Sequence, residues 1–146
     1  MFAENGPWWE IDNLLMSVNV DSYHWVLAAF NFVERKIRVY ESLCQDTDLS
    51  FREQFVSPLA HFLLSLMCNG DYYENKRRKV QLTPFVYKRL GPNTVLQQCG
   101  AGHCGAFLLM YVKYIVAHRQ KFDFKANQMK ALRRKMSIEI FATIRR

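Results

Sequence analysis

A glycine-rich stretch, "QCGAGHCG" at residues 98–105, carries the side chains of this sequence best suited to chemistry. It holds two cysteines and a histidine directly before the apolar run "AFLLMYVKYIVAH". Four interpretations are open: a metal site, a redox pair, a tightly packed turn, or a nucleophile at the start of a helix. Zinc sites usually have four ligands in two spaced pairs, and redox pairs are usually Cys-x-x-Cys. The spacing therefore fits the first two interpretations poorly.

Cys104 differs from the other cysteines because it would lie in the first turn of the following helix. Unpaired N–H groups and the helix dipole favour a thiolate at that position. Gln98, further upstream, could donate a side-chain N–H to a developing oxyanion, together with the backbone N–H of Cys104. The remaining cysteines are expected to pack as small buried apolar side chains: Cys44, Cys68 and Cys99.

A nucleophilic cysteine needs a base, and the base needs a group that orients it. His24 opens the apolar run "HWVLAAFNF", and Glu41 lies near the end of the next run, "KIRVYESL". If the two runs pair as a hairpin, both residues come to the same end of the sheet. His24 could equally be an ordinary strand-end histidine and Glu41 a solvated carboxylate, and the spacing alone does not choose between these interpretations.

The part of the chain that carries His24 and Glu41 is predicted to form strands. Runs rich in β-branched and alternating apolar residues predict three strands of a β-meander, at 13–20, 24–32 and 36–43. The 24–32 run is apolar on both faces and predicts a strand that is buried on both sides. An irregular strand is predicted over 80–90, and a short one, "TVLQQ", over 94–98.

Helices follow the strands. Apolar residues at three- and four-residue spacing from Ser50 predict an amphipathic helix that Pro58 kinks or restarts and that Asn69–Gly70 ends. "DYYENKRRK" at 71–79 is predicted to be a charged loop. A buried helix is predicted after Gly105, and an amphipathic one over 123–146. The apolar face of the last helix should comprise Met129, Leu132, Met136, Ile138 and Ile140. The fold class is α+β, in a single domain over 1–146.

The composition narrows the class of protein. The chain has 146 residues, half of them apolar, and a net charge of +7. It lacks the pattern of a secretory leader and any apolar run long enough to span a bilayer, so an intracellular monomer in the nucleus or cytoplasm is expected. The cluster "NKRRK" could be a nuclear-import signal or a solvated loop. The basic residues are not interleaved with aromatic ones in a nucleic-acid-binding pattern, so nucleic acid is not expected as a partner. The short apolar runs likewise do not predict a membrane partner.

Taken in order, these motifs resemble the ubiquitin-like-protein-specific cysteine proteases, the SUMO protease family. The family pattern is His-Trp-x-Leu, then a strand ending in Tyr-Asp-Ser-Leu, then Gln-x-Asn-Gly-x-Asp-Cys-Gly at the start of a helix. This chain has "HWVLAAFNFVERKIRVYESL" and "QCGAGHCG". The resemblance covers most of the chain. It implies a papain-like or adenain-like fold, with a central, mostly antiparallel sheet flanked by helices and the catalytic cysteine at a helix N-terminus.

The resemblance also implies a role for each matching residue. Cys104 would be the nucleophile and His24 the general base and then the acid, with Glu41 orienting His24 and Gln98 building the oxyanion hole. Trp25, which could otherwise be a core aromatic residue, would cover the channel for the Gly-Gly tail of a ubiquitin-like modifier, beside Gly105. The reaction would hydrolyse the peptide or isopeptide bond after that tail through a thioester, without a metal or other cofactor. The basic surface would suit an acidic modifier.

The sequence departs from the family pattern in three places. Glu41 replaces the usual aspartate, as in the related adenovirus protease. Residues 100–103, ending in His103, replace Asn-Gly-x-Asp. Only 23 residues precede His24, fewer than in the family domain. A divergent or truncated plant-type member is therefore expected, and two alternatives stay open: an adenain-like endopeptidase, and a catalytically inactive remnant that at most binds a modifier.

Overall fold

The structure, a computed structural model, describes residues 6–43, 52–100, 102–119 and 121–144. The packing predicted for Cys44 and the predicted start of the first helix at Ser50 lie outside these residues. No helix within the described ranges is long and apolar enough to cross a membrane.

Four strands form one sheet in the order β1-β2-β3-β4. Their bounds are β1 Asn13–Val20, β2 His24–Asn31, β3 Lys36–Tyr40 and β4 Val86–Leu90. The turns between the first three strands are short, so β1, β2 and β3 are antiparallel neighbours. The predicted meander is therefore confirmed, although β3 ends at Tyr40 and not at residue 43 as predicted.

Strand β4 runs parallel to β3. At the start of the two strands the Val86 N–H donates to the Arg35 carbonyl over 2.9 Å. Near their ends Arg89 contacts Glu41. The sheet is therefore mixed, with its antiparallel part contributed by β1, β2 and β3. The strand predicted over 94–98 does not form, because this segment makes loop hydrogen bonds to the end of β3 instead of a ladder.

Burial along the strands follows the sequence pattern. In β2 the consecutive residues Val26 and Leu27 are both buried, so both faces of this strand are covered. In β3 the buried residues alternate, with Ile37 and Val39 on one face. The prediction of a doubly buried β2 is confirmed.

Four α-helices are described: α1 Ser57–Asn69, α2 Tyr72–Asn75, α3 Cys104–Val116 and α4 Met129–Ile144. Short helical turns of other types lie at Trp8–Glu10, Arg52–Val56 and Ala126–Gln128. Pro58 lies in the first turn of α1, directly after the helical turn at Arg52–Val56, and Gly70 caps the helix end. Helix α3 confirms the buried helix predicted after Gly105.

Three helical predictions were wrong in detail. On α1 the apolar spacing predicts a buried face that includes Phe62, Leu63 and Leu66, but Phe62 and Leu66 are exposed, and Leu63 and Met67 are the buried residues. The loop predicted over 71–79 contains α2, because Tyr72 and Tyr73 are buried and only the charged side chains point outward. On α4 Met129 is buried and Leu132 and Met136 are half-buried, whereas Ile138 and Ile140 are exposed, so only the first three residues of the predicted apolar face are covered.

The described residues form two compact units. One comprises those within Met1–Met16, Ala28–Val39 and Gln45–Lys88, where Tyr72 packs on Trp8 and Phe32. The other comprises those within Ser17–Leu27, Tyr40–Cys44 and Arg89–Arg146. In the second unit an aromatic cluster fixes α3 against the segment that follows it. The closest pair of rings in this cluster is Tyr111 and Phe122, whose centroids lie 5.1 Å apart.

Candidate active site

His24 and Glu41 are in contact at one end of the β2–β3 hairpin. His24 is the first residue of β2, and Glu41 directly follows β3. The Nε2 atom of His24 lies 3.2 Å from Oε1 of Glu41, and both side chains are buried. The ring N–H does not meet the geometry of a linear hydrogen bond, so the pair is a close contact between imidazole and carboxylate. The hairpin therefore brings together the two residues that the sequence paired.

Cys104 begins α3, as the sequence predicts. The His24 imidazole and the backbone N–H groups of Trp25 and Gly105 lie close enough to this thiol to lower its pKa. The side chain is almost fully buried, with a relative exposure of 9%. Strand β2 and helix α3 thus supply the groups that surround this sulfur, and all of them belong to the second compact unit.

The charges in this cluster favour an ion pair between the thiolate and the imidazolium. The Glu41 carboxylate raises the pKa of His24 above its ordinary 6.5; burial opposes this effect, and the contact with Cys104 reinforces it. Burial acts most strongly on the Cys104 thiol and tends to raise its pKa. The backbone N–H of Trp25, the His24 ring and the Gly105 N–H together outweigh burial and lower the pKa below the ordinary 9.0.

Arg89, a residue of β4 whose side chain is buried, was not predicted from the sequence to be part of the site. Its Nε donates to Oε2 of Glu41 over 2.7 Å, and its Nη2 lies 2.6 Å from the same oxygen. The two oxygens of Glu41 are thus divided between Arg89 and His24. A buried Glu41 carboxylate would need a cation beside it, but the sequence does not show which of the many basic residues supplies that cation.

Gln98 is held against the residue that follows Glu41. The Ser42 hydroxyl donates to Oε1 of Gln98 over 3.2 Å, and the Gln98 backbone N–H donates to the Ser42 carbonyl over 2.7 Å. Because Oε1 accepts this bond, the amide is oriented with its NH₂ group away from Ser42. Ser42 lies in the sequence motif "YESL", and its contact with Gln98 was not predicted.

Two further hydrogen bonds tie the loop before Cys104 to its surroundings. Gln97 donates from its side chain to the Glu41 carbonyl over 3.0 Å. The Tyr111 hydroxyl on α3 donates to the Leu96 carbonyl over 2.6 Å. The loop is therefore fixed both to the end of β3 and to the helix that carries the cysteine.

The two residues that the resemblance assigned to substrate binding lie beside the sulfur. Trp25 is about 40% exposed, so it is not a core residue. A Cβ built on Gly105 would meet no atom within 4 Å, so there is open space at the first turn of α3. The backbone N–H groups of Trp25 and Gly105 both lie near the Cys104 sulfur.

His103 lies at the N-cap of α3 without a side-chain capping bond. Arg133 of α4 donates to the Gly102 carbonyl over 3.2 Å, and its Nη1 lies 3.5 Å from Nδ1 of His103. Gly102 has φ of 82°, a conformation that favours glycine. A basic side chain from α4 therefore braces the turn that leads into the cysteine.

Cys68 and Cys99 are both exposed, so the prediction that they are buried apolar residues was wrong. Cys68 lies on the outward side of α1, next to the buried Met67, and Cys99 lies in the loop before the glycines. Within the described residues no group of three His, Cys, Asp or Glu side chains is arranged to hold a metal ion.

Comparison with known proteins gives a family match over residues 3–146. The matching family is described as the Ulp1 protease family, C-terminal catalytic domain. No curated protein matches the chain.

Solved structures show the same fold. One is the C-terminal Ulp1 protease domain in complex with Smt3, the yeast ortholog of SUMO, with a TM-score of 0.60 and 17% identity over 85% of this chain and 49% of that chain. Another is the SUMO protease Ulp1 with its catalytic cysteine oxidised to a sulfenic acid, with a TM-score of 0.54 and 18% identity over 85% of this chain and 50% of that chain. The chain thus spans about half the length of these structures, and the predicted α+β, papain-like fold class is confirmed.

Proposed function

This chain belongs to the Ulp1 protease family, and on that premise we propose that it is a cysteine peptidase acting on a SUMO-type ubiquitin-like modifier. It would hydrolyse the peptide or isopeptide bond that follows the modifier's Gly-Gly tail. The observation that carries the proposal is the buried series of contacts from Glu41 through His24 to Cys104. A solved relative forms a complex with Smt3, the yeast ortholog of SUMO, which supports the class of substrate.

The first half of the reaction uses the ion pair of Cys104 and His24. The thiolate attacks the carbonyl carbon of the terminal glycine, so a C–S bond forms and the carbonyl π electrons move onto oxygen. The oxyanion collapses, the C–N bond breaks, and the imidazolium of His24 gives its proton to the departing amine. A thioester remains on Cys104, and Glu41 keeps the imidazole in its orientation throughout.

The second half regenerates the enzyme. Neutral His24 takes a proton from water while the water oxygen bonds to the thioester carbon. The C–S bond then breaks, the modifier leaves with a free carboxyl group, and the thiolate–imidazolium pair is restored. Both halves pass through an oxyanion, which the side-chain NH₂ of Gln98 and the backbone N–H of Cys104 would stabilise. The bond from Ser42 supports this role, because it leaves that NH₂ group as the free end of the amide.

The surroundings of the sulfur support a narrow substrate. The open space beside Gly105 suits an extended chain that approaches closely, and the exposed indole of Trp25 could lie over it. A residue with a side chain would need more room there than glycine. The net charge of +7 favours an acidic partner over a basic one.

The test is hydrolysis of a panel of ubiquitin-like modifier precursors that carry a short extension after Gly-Gly. The wild type should release the extension from a SUMO-type precursor, and Cys104→Ser should not. Cys99→Ser is the matched control, because Cys99 is an exposed thiol in the same loop, and this variant should keep the activity. Hydrolysis that survives Cys104→Ser would refute the assigned nucleophile.

Two other outcomes identify the alternatives. A folded wild type that binds a modifier without cleaving any precursor would be a binding-only remnant. A wild type that cleaves unrelated Gly-Gly peptides faster than any precursor would be an adenain-like endopeptidase. Either result would overturn the proposed function.

A further inference from the structure

We propose that Arg89 is a positioning residue of this site, which holds the Glu41 carboxylate in the orientation that His24 requires. The inference rests on the proposed peptidase function and deepens it. Two nitrogen atoms of Arg89, Nε and Nη2, contact Oε2 of Glu41 at 2.7 and 2.6 Å. The other oxygen, Oε1, faces Nε2 of His24 at 3.2 Å.

The burial of this pair argues against an incidental surface contact. The Arg89 and Glu41 side chains have relative exposures of only 8% and 5%. Arginine is almost never this buried unless it is paired, because removing its charge from water is costly. The ion pair therefore has a fixed geometry, unlike the solvated pairs of this chain such as Lys36 with Glu34.

The division of the carboxylate oxygens gives the arginine its positioning effect. A glutamate has three side-chain torsions, so its carboxylate can rotate away from a histidine that it contacts through one oxygen. Two nitrogens on Oε2 remove that freedom and leave Oε1 directed at the ring. Arg89 therefore acts on His24 by way of the Glu41 carboxylate.

The parallel pairing of β3 and β4 puts Arg89 at this position. Glu41 follows the last residue of β3, and Arg89 is the penultimate residue of β4. The neighbouring Lys88 is exposed, as the alternation of a strand requires. Lys88 therefore offers a matched control: a cation on the same strand that faces away from Glu41.

The test measures activation of the Cys104 thiol without any peptide substrate. The titratable and charged groups that face the site in the described residues are His24, Glu41, Arg89, Cys104 and Tyr111, with His103 and Arg133 beside the loop. Among these, the held carboxylate favours the imidazolium, which in turn favours the thiolate. The rate of Cys104 alkylation by iodoacetamide as a function of pH reports this effect directly.

Arg89→Gln should move the midpoint of this pH profile upward by about one unit and lower the rate at neutral pH roughly tenfold. Arg89→Lys, which keeps the charge but cannot offer two nitrogens, should give an intermediate shift. Lys88→Gln should match the wild type. In a Glu41→Gln background, adding Arg89→Gln should change nothing further, because the arginine acts through that carboxylate.

The inference is overturned if Arg89→Gln leaves the profile unchanged, or if it shifts the profile equally with and without Glu41. If Arg89→Gln fails to fold, the test uses Arg89→Lys and the double variant Glu41→Gln/Arg89→Gln instead. The double variant should fold because it leaves neither buried charge without a partner. The positioning role of Arg89 would also be refuted by two results together: Arg89→Lys has the same pH profile as the wild type, and the double variant has a different profile from Glu41→Gln. The alkylation experiment uses no modifier, so its result can be interpreted even if the protein does not cleave any modifier precursor.

Discussion

The Ser42 hydroxyl donates a hydrogen bond to Oε1 of Gln98 over 3.2 Å, so the residue next to Glu41 fixes the amide proposed for the oxyanion hole. Ser42 itself is almost fully buried. One short strand end therefore serves two parts of the site, with Glu41 directed at His24 and Ser42 directed at Gln98. The backbone bond between Gln98 N–H and Ser42 carbonyl holds the two segments in register.

Ser42→Ala should lower kcat about tenfold with little change in KM. The variant leaves the Gln98 amide free to rotate, and removal of one oxyanion donor costs roughly a hundredfold or more, so a misaligned donor should cost less. Gln98→Ala should therefore be the more severe change. Steady-state hydrolysis of a modifier precursor measures both, with the exposed Ser17→Ala as control. If Ser42→Ala is as active as the wild type, the hydrogen bond from Ser42 does not orient Gln98 for catalysis.

The reactivity of Cys104 should depend on pH in a direction set by both pKa shifts. The lowered pKa of Cys104 means that the thiolate forms below the ordinary thiol range. The raised pKa of His24 means that the imidazolium persists above pH 6.5, so kcat/KM should fall at high pH only when His24 loses its proton. His24→Ala should slow alkylation of Cys104 at neutral pH and leave the exposed Cys99 unchanged. Parallel slowing of both thiols would indicate a general structural effect.

Gly105→Ala should separate stability from activity. The added Cβ meets no protein atom within 4 Å, and Gly105 does not have positive φ. Alanine in the first turns of a helix is favoured over glycine by up to about 1 kcal/mol, so the free energy of unfolding should rise. The methyl group would occupy the space proposed for the substrate tail, so KM should increase. Gly102→Ala is the contrasting control, because φ of 82° there strains any side chain and should lower stability. Unchanged hydrolysis by Gly105→Ala would refute the proposed substrate path.

Tyr111→Phe should lower the free energy of unfolding by about 1 kcal/mol, the usual net value of one hydrogen bond. The buried hydroxyl donates to the Leu96 carbonyl, and the ring stays within its aromatic cluster in the variant. The loop that carries Gln98 loses one anchor, so kcat should fall while binding is retained. Denaturant unfolding and steady-state kinetics measure the two effects. A loss of stability without any change in kcat would show that this anchor does not position the loop.

Much of the site could be predicted because local patterns determine it. The short turns between β1, β2 and β3 set the strand register, and the hairpin register brings His24 to Glu41. Cys104 could be placed because an apolar run without a helix breaker follows the glycines. These relationships depend on residues that are close in sequence or on one continuous pattern.

Arg89 and the Ser42–Gln98 bond could not be predicted in the same way. A long connection separates β3 from β4, and parallel neighbours have no tight turn to fix their register. Nothing in "VYKRL" indicates which cation faces Glu41. On α4 the spacing of Ile138 and Ile140 predicted an apolar face, but a pattern does not show whether a partner surface exists, and both side chains are exposed.

Cys104 is the proposed nucleophile toward a ubiquitin-like modifier. The most direct measurement is labelling with a SUMO-type modifier whose C-terminal glycine carries a thiol-reactive group, followed by mass-spectrometric mapping of the adduct. We predict a single adduct on Cys104, lost in Cys104→Ser and in His24→Ala and retained in Cys68→Ser and Cys99→Ser. An adduct on an exposed cysteine, or no adduct on the folded wild-type protein, would contradict the claim.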